Sequence, residues 1–195
     1  MLSVIVHTID NMFTSEQNFN VFQPLLIVIA VALLLLVLIP YAWSSQSKIT
    51  SFEECAARGF PIMESYPRQC RTSDGDLFAE NIGNAIEKSN LIKVDSPRPN
   101  TVAQSPLRIA GQARGIWYFE ASFPIVLEDG DGNILAQVPA QAKGEWMTED
   151  FVPFAVVLDF QMPTTSTVGV LRLKKDNPSG LPQNDDELII PVKFR

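Results

Sequence analysis

The sequence of 195 residues predicts an all-β fold in its C-terminal half, preceded by a transmembrane helix and a small disulfide-stapled segment. Three observations support this prediction: an uninterrupted apolar run near the N-terminus, two cysteines, and a series of short alternating runs separated by Pro, Gly, Asn and Asp. The predicted organisation is an N-terminal tail at 1–20, a transmembrane helix at 21–43, a cysteine-bounded segment at 50–78, a linker at 79–91 and a β-sandwich at 92–195.

The transmembrane prediction rests on the segment 21–43. Its centre, Leu25 to Ile39, is uninterrupted by any polar residue. About 20 helical residues cross a hydrocarbon core of about 30 Å, so the segment is long enough. Tyr41 and Trp43 follow where interfacial aromatic residues are common. We expect a single-pass anchor in the cytoplasmic membrane.

Two alternatives concern this segment. A cleaved signal peptide would have a positive N-terminal region and a shorter apolar core, whereas residues 1–20 contain Asp10 and Glu16 and no Lys or Arg. The positive-inside rule, read literally, would keep the C-terminal part in the cytosol, since every Lys and Arg lies at Lys48 or later. Only Lys48 and Arg58 lie within the roughly 15–20 residues of the membrane end in which the rule applies, so its bias is weak. The two cysteines favour an extracytoplasmic C-terminal part, because disulfides form outside the cytosol.

The cysteine-bounded segment begins with a predicted capping box, in which Ser51 caps a short helix and Glu54 reaches back. Cys55 and Cys70 are most simply a disulfide, because a segment this small needs a staple. A redox pair would have the tighter Cys-x-x-Cys spacing, and a zinc site would need further Cys or His nearby. Asp74-Gly75 predicts a hairpin turn.

The C-terminal part contains seven predicted strands in about 100 residues, a profile typical of an immunoglobulin-like sandwich. Apolar and other residues alternate most clearly in three of them. The predicted strands start at Ile92, Leu107, Phe123, Ile134, Phe154, Val168 and Leu188. The region has no inter-sheet cysteine pair, so apolar packing must hold the two sheets together.

Several motifs of this region occur in the order typical of one family. They are SPRPNTVAQSPLRIAGQARGIWYFEASFPIVLEDGDGNILAQ, WMTEDFVPFAVVLDF, KKDNPSGLP and IIPVKF. About Ile92 to Phe194 therefore resembles the bacterial spore germination immunoglobulin-like domain. The resemblance implies an exported β-sandwich of the cell envelope with no established enzymatic activity. Our own hypothesis for its partner is an envelope protein or the cell-wall glycan.

Candidate ligand contacts are the aromatic residues Trp117, Tyr118 and Trp146, whose rings could stack on sugars. The alternative is that they fill the core, and we expect at least one of Trp117 and Phe119 to do so. Asp129 to Asn133 has some likeness to a calcium loop, but Ile134 and Ala140 stand where an EF-hand needs Gly and Glu. We interpret it as a hairpin turn.

The net charge and the number of His residues make some classes of function less plausible for this chain. A net charge of −7 disfavours a nucleic-acid partner, and a single His leaves little basis for a metal centre, so we expect no cofactor. The leading hypothesis is a non-catalytic interaction or scaffold domain. Its rivals are a cell-wall glycan-binding module and an envelope hydrolase using a carboxylate pair, for which the sequence offers Glu120, Glu145, Glu149 and Asp150.

Overall fold

The computed structural model describes residues 27–34 and 48–194. Residues 27–34 are helical and exposed, whereas the N-terminal tail 1–20 and the rest of the predicted transmembrane segment 21–43 lie outside the described residues. Within the described ranges, no helix combines the length and the apolar character needed to cross a membrane. The anchor therefore remains a prediction. The chain from Thr50 onward forms one compact unit.

The cysteine-bounded segment folds into one short helix, α1 (Phe52–Ala57), and a small antiparallel sheet. The Ser51 hydroxyl accepts from the Glu54 backbone N–H at 3.1 Å, as predicted. The Glu54 carboxylate, however, reaches one residue further back than a capping box requires and accepts from the N–H of Thr50. The sheet has the order β1-β2-β3, and its strands are β1 (Ile62–Met63), β2 (Gln69–Arg71) and β3 (Leu77–Ala79).

The predicted disulfide is present. Cys55 on α1 is bonded to Cys70 on β2, with the two Cα atoms 6.0 Å apart and both residues fully buried. It joins the helix of this segment to its central strand, and it supplies the covalent link that a segment with so small an apolar core needs.

The seven predicted strands of the C-terminal part are all observed, and they form two packed sheets. The alternation of buried and exposed residues is clearest in β5 and β10, where every second side chain faces the core. The strands are β4 (Ile92–Ser96), β5 (Leu107–Arg114), β6 (Ser122–Asp129), β7 (Ile134–Gln141), β8 (Phe151–Leu158), β9 (Val168–Lys174) and β10 (Glu187–Lys193).

One sheet has the order β4-β5-β8 and the other β10-β9-β6-β7. Strand β7 pairs with β6 in antiparallel register, from Ser122 opposite Gln141 to Glu128 opposite Ile134. The fourth strand of the sandwich therefore belongs to the four-stranded sheet and does not extend the sheet of β4, β5 and β8. This is an immunoglobulin-like arrangement of three plus four strands.

The core lies between the two sheets and is built around aromatic rings. Phe123 packs edge-on against Phe154 and Tyr118, with ring centroids 5.0 and 5.1 Å apart. Trp117, on a 3₁₀ turn at Gly115–Trp117, is fully buried. No disulfide crosses this core within the described residues, because both cysteines lie in the preceding segment. Apolar burial therefore holds the sheets together, as the sequence predicts.

The linker crosses the outer edge of β10. The Asn84 side chain donates to the carbonyl of Glu187 at 2.9 Å and accepts from the N–H of Ile189 at 2.7 Å, as a neighbouring strand would. Gly83 lies so close to Ile189 that a Cβ would collide with its carbonyl, and its φ of 68° is one that glycine tolerates best. The linker therefore packs closely against β10 and hydrogen-bonds to its edge.

Candidate functional site at the junction groove

A groove of about 880 Å³ lies where the cysteine-bounded segment meets the sandwich. We call it the junction groove. One wall comes from the loop before β2 and from the start of the linker, and the other from the end of β4 and the loop that follows it. Its lining residues are Glu64, Ser65, Tyr66, Arg68, Glu80, Ile82, Val94, Asp95, Arg98, Pro99, Asn100 and Thr101.

A polar network joins the two walls of the groove. The Arg68 guanidinium donates two hydrogen bonds to the Glu80 carboxylate, at 2.7 and 2.8 Å. The Asn100 side chain donates a third to the same carboxylate at 3.0 Å. The Glu80 side chain is only 8% exposed, so this charge would be costly without partners. The hydrogen bonds from Arg68 and Asn100 hold the pKa of Glu80 below its usual range, although burial acts in the opposite direction.

The far wall is fixed by backbone contacts to β10. Asn100 has a left-handed φ of 61°, which Asn tolerates better than most residues, and its N–H donates to the carbonyl of Pro191 at 2.7 Å. Val102 forms a parallel bridge with Lys193. The Asn100 side chain is thereby held toward Glu80, so the groove is preorganised by the sandwich itself.

The rim of the groove is open and of mixed character. Tyr66 is 66% exposed. Arg98, Asp95 and Glu64 are exposed around it, so both signs of charge are available beside one aromatic ring. This combination suits a polar ligand that also presents an apolar face, such as a sugar ring or an extended peptide.

The structure places two of the three candidate aromatic contacts in the core. Trp117 is fully buried, and Tyr118 is 3% exposed with its hydroxyl donating to the carbonyl of Val152 at 2.8 Å. Burial raises the pKa of Tyr118 to about 12. Neither ring offers a face to a ligand in this arrangement. Trp146 packs against the edge of the core and remains half-buried, and none of the three lines the junction groove.

The candidate carboxylates are all exposed. Glu120, Glu145, Glu149 and Asp150 lie on loops, and none of them lines the junction groove or any of three smaller grooves of the described residues. The one deeply buried carboxylate of the groove, Glu80, is bound by Arg68, so it is held ionised rather than kept as a proton donor. Glu80 therefore does not supply the protonated acid that a glycosidase needs.

The loop with some likeness to a calcium site is a hairpin turn. The Asp129 side chain accepts from the backbone N–H groups of Asp131 and Asn133, both at 2.9 Å, and from the Asn133 amide. Its oxygens are thus engaged within the turn between β6 and β7. Across residues 27–34 and 48–194, no group of three or more His, Cys, Asp or Glu is arranged to hold a metal ion.

The junction groove was not predicted from the sequence. Arg68 and Glu80 are 12 positions apart and Asn100 is 20 further on, with no periodicity connecting them. The one local signal is that Asn100 follows Pro97 and Pro99, which indicates a turn but not its contacts.

Comparison with known proteins gives a match within the sandwich. Residues 91–180 match the model of the family described as the immunoglobulin-like domain of bacterial spore germination. The match covers just under half of the chain and confirms the resemblance seen in the C-terminal motifs. Neither the curated proteins nor the solved structures contain a match to this chain.

Proposed function

We propose that this chain is a membrane-anchored protein of the bacterial cell envelope, and that its immunoglobulin-like domain acts outside the cytoplasmic membrane as a non-catalytic interaction or scaffold module. The match of residues 91–180 to the immunoglobulin-like germination domain carries the proposal. The family description names a domain of spore germination and no reaction. No reaction is assigned to the chain, since its four candidate carboxylates are exposed and none of them lines the junction groove.

Two further features support the envelope location. A disulfide between buried cysteines is typical of proteins that fold in an oxidising compartment. The apolar run from Leu25 to Ile39 has the length and composition of a membrane anchor. Together they favour an anchor that leaves everything after it outside the cytosol.

The junction groove is the binding surface that we assign to this module. It is concave, it is fixed by the network of Arg68, Glu80 and Asn100, and its rim presents exposed charges that form no ion pair among the described residues. Ligand sites commonly combine such a preformed cleft with a few polar groups.

The cell-wall glycan is the ligand class that Tyr66 favours. Its ring is two-thirds exposed beside Arg98 and Asp95, so it can stack on a sugar while the charged neighbours bind hydroxyl, amide or carboxylate groups. A protein partner is the alternative occupant, for which the same ring would be a central contact.

A sedimentation assay with purified peptidoglycan tests the groove. The full-length protein in detergent should co-sediment with peptidoglycan, and Tyr66→Ala or Arg98→Ala should weaken binding about tenfold, the effect of losing one well-placed contact. Leu181→Ala and Lys175→Ala are matched controls, because both residues lie outside the groove and Leu181 is 49% exposed.

Two outcomes would count against this assignment. Unchanged binding by both groove variants would remove the groove as the glycan site. No co-sedimentation of the wild-type protein would leave the protein partner as the remaining ligand class for the module.

A further inference from the structure

The junction groove adjoins a second cavity at the open side of the sandwich. We call this cavity the side pocket; its volume is about 200 Å³, and it lies between the edge strands β4 and β10. Its walls are largely apolar and include Ile92 of β4 and Leu188 and Ile190 of β10. Tyr66 and Val94 line both cavities, so the exposed ring of Tyr66 lies beside the edge of β4.

The linker covers the first part of the β4 edge. The carbonyl of Leu91 accepts from the N–H of Arg114 on β5, so in an antiparallel ladder the main chain of Ile92 must point away from β5. The observed contact agrees with this direction, because the Ile92 N–H donates to the carbonyl of Lys88 in the linker at 2.9 Å. The edge of β4 therefore has a partner at Ile92.

Val94 is the next residue whose main chain points away from β5, since this direction repeats every two residues and the register shifts only after Val94. Among the described residues, no backbone hydrogen bond joins its N–H or its C=O to the linker or to the loop after β4. Because Val94 lines the junction groove, one donor and one acceptor of the main chain are available there to a ligand.

One residue of an extended peptide complements this pair of groups. Its N–H and C=O lie on the same edge of the chain, so it can exchange two hydrogen bonds with Val94, as facing residues of antiparallel strands do. The acetamido group of a sugar has its N–H and C=O on opposite sides of one planar amide, so it can form only one of the two bonds. The rim of the groove carries both signs of charge, so the main chain of Val94 is the more selective feature.

We propose that the junction groove binds a glycan that carries a short peptide. A sugar ring stacks on Tyr66, the peptide pairs with the main chain of Val94, and one small apolar side chain of the peptide enters the side pocket. This inference rests on the proposed role of the groove as the glycan site, and it names the part of the polymer that the edge of β4 recognises. A glycan without peptide would leave the edge of β4 and the side pocket without a partner.

Competition between two soluble wall fragments tests the proposal. The full-length protein in detergent is bound to purified peptidoglycan as in the sedimentation assay. The competitors are a wall disaccharide with its attached peptide and the same disaccharide without peptide. The peptide-bearing fragment should release the protein at a concentration at least about tenfold lower than the bare disaccharide, because it forms two additional main-chain hydrogen bonds.

Val94→Pro removes the outward N–H, a change that edge strands accept because the donor is not part of the ladder. The variant should need about tenfold more of the peptide-bearing fragment for release, and an unchanged concentration of the bare disaccharide. Val157→Pro is the matched control. The carbonyl of Pro153 accepts from Lys143 across the far edge of β8, so Val157, four residues further on, also directs its N–H away from β5. Val157 does not line the groove, and its substitution should leave both concentrations unchanged.

A measurement on the wild-type protein makes the test independent of the folding of Val94→Pro. Amide hydrogen exchange at Val94 should slow when the peptide-bearing fragment is added at saturating concentration, because the amide gains a hydrogen-bond partner. Exchange at Val157 should not change. The bare disaccharide should leave exchange at Val94 as it is in the free protein.

Three results would overturn the proposal. Equal competition by the two fragments would remove the peptide and leave the glycan site in place. Unchanged exchange at Val94 in the presence of the peptide-bearing fragment would show that the edge of β4 is not paired. A wild-type protein that does not sediment with peptidoglycan at all would remove the glycan assignment of the groove as well.

Discussion

At the scale of single residues, Glu80 connects the cysteine-bounded segment to the sandwich. Its carboxylate is nearly inaccessible and binds Arg68 from one side and Asn100 from the other. Removing this buried acceptor would destabilise the fold mainly because the Arg68 guanidinium and the Asn100 amide would lose their hydrogen-bond partner. Glu80 thus has a structural role in the junction groove, since it joins the two walls.

We predict that Glu80→Gln lowers the free energy of unfolding by about 1–2 kcal/mol at pH 7, because Arg68 loses its charged acceptor. The pKa of Glu80 is depressed in the folded state, so its contribution is present above the ordinary carboxyl pKa and is lost as pH falls through the folded-state value. The gap between variant and wild type should therefore narrow below about pH 4, as measured by denaturant titration.

Glu87→Gln is the matched control for this substitution. Glu87 lies in the same linker, is exposed and forms no ion pair among the described residues, so its change should stay within about 0.5 kcal/mol. Equal effects of the two substitutions, or a gap that widens in acid, would contradict the role given to Glu80.

At the scale of elements, the edge of β10 shows how the linker completes the sandwich. An edge strand has unpaired backbone groups that can template aggregation. Here the Asn84 side chain satisfies one carbonyl and one N–H of β10, and residues 100–103 satisfy others further along. The linker is therefore part of the folded unit and not a flexible connection.

We predict that Asn84→Ala destabilises the protein by about 1–3 kcal/mol, since it leaves the Glu187 carbonyl and the Ile189 N–H without partners. Amide hydrogen exchange should show faster exchange at Ile189, while β5 and β6 keep their protection. Asn90→Ala, an exposed linker position, should leave exchange at Ile189 unchanged. Unaltered exchange at Ile189 in the Asn84 variant would contradict this pairing.

The disulfide acts on a second element, the small sheet of the cysteine-bounded segment. It closes a loop of 15 residues, for which the chain-entropy relation gives about 3 kcal/mol. Replacing both Cys55 and Cys70 by Ser should therefore loosen residues 52–79 while the seven strands of the sandwich stay folded. Amide hydrogen exchange, compared between this variant and the wild type, should be faster within residues 52–79 and unchanged in the sandwich strands.

Thiol labelling tests the bond itself. In denaturant without reductant, neither cysteine of the purified protein should react, and after reduction both should. Denaturant is needed because both residues are fully buried and a free thiol would be protected in the folded protein as well. Labelling of the unreduced, unfolded chain would show that the bond is absent.

At the scale of the whole molecule, the main prediction concerns topology. If the segment 21–43 anchors the chain with its C-terminal part outside, protease added to intact spheroplasts should remove everything beyond Lys48. Cytosolic marker proteins must survive the same treatment. Protection of the sandwich until the membrane is permeabilised would support the opposite orientation, which the positions of the Lys and Arg residues allow.

The elements were predictable because their signals are local. The alternation in Leu188 to Phe194 and in Leu107 to Gly111 indicates half-buried strands without knowledge of their partners, since side-chain direction in a strand repeats every two residues. The same holds for the Ser51 cap and for the Asp129 turn, whose hydrogen bonds span a few residues. The cysteine pairing was predictable for a different reason, namely that the chain contains two cysteines only.

The candidate site was not predictable to the same extent. Aromatic residues near each other in sequence look alike whether they face solvent or core, and Trp117 and Tyr118 proved to be buried while Tyr66 is exposed. Which of them is accessible depends on how the two sheets pack and on where the 3₁₀ turn at Gly115–Trp117 directs its side chains.

The sequence by itself determined the class of each segment: an apolar run of membrane length, a cysteine-bounded segment, and a series of alternating runs typical of a β-sandwich. Local composition and the spacing of apolar residues depend only on residues that are near each other in the chain, and they indicate secondary structure and which side chains are buried. Tertiary structure alone decided that Arg68, Glu80 and Asn100 meet, that Asn84 completes the edge of β10, and that Gly115 packs against the backbone of Trp146 and Thr148. Each of these contacts joins positions far apart in the chain, so each exists only once the sheets have packed.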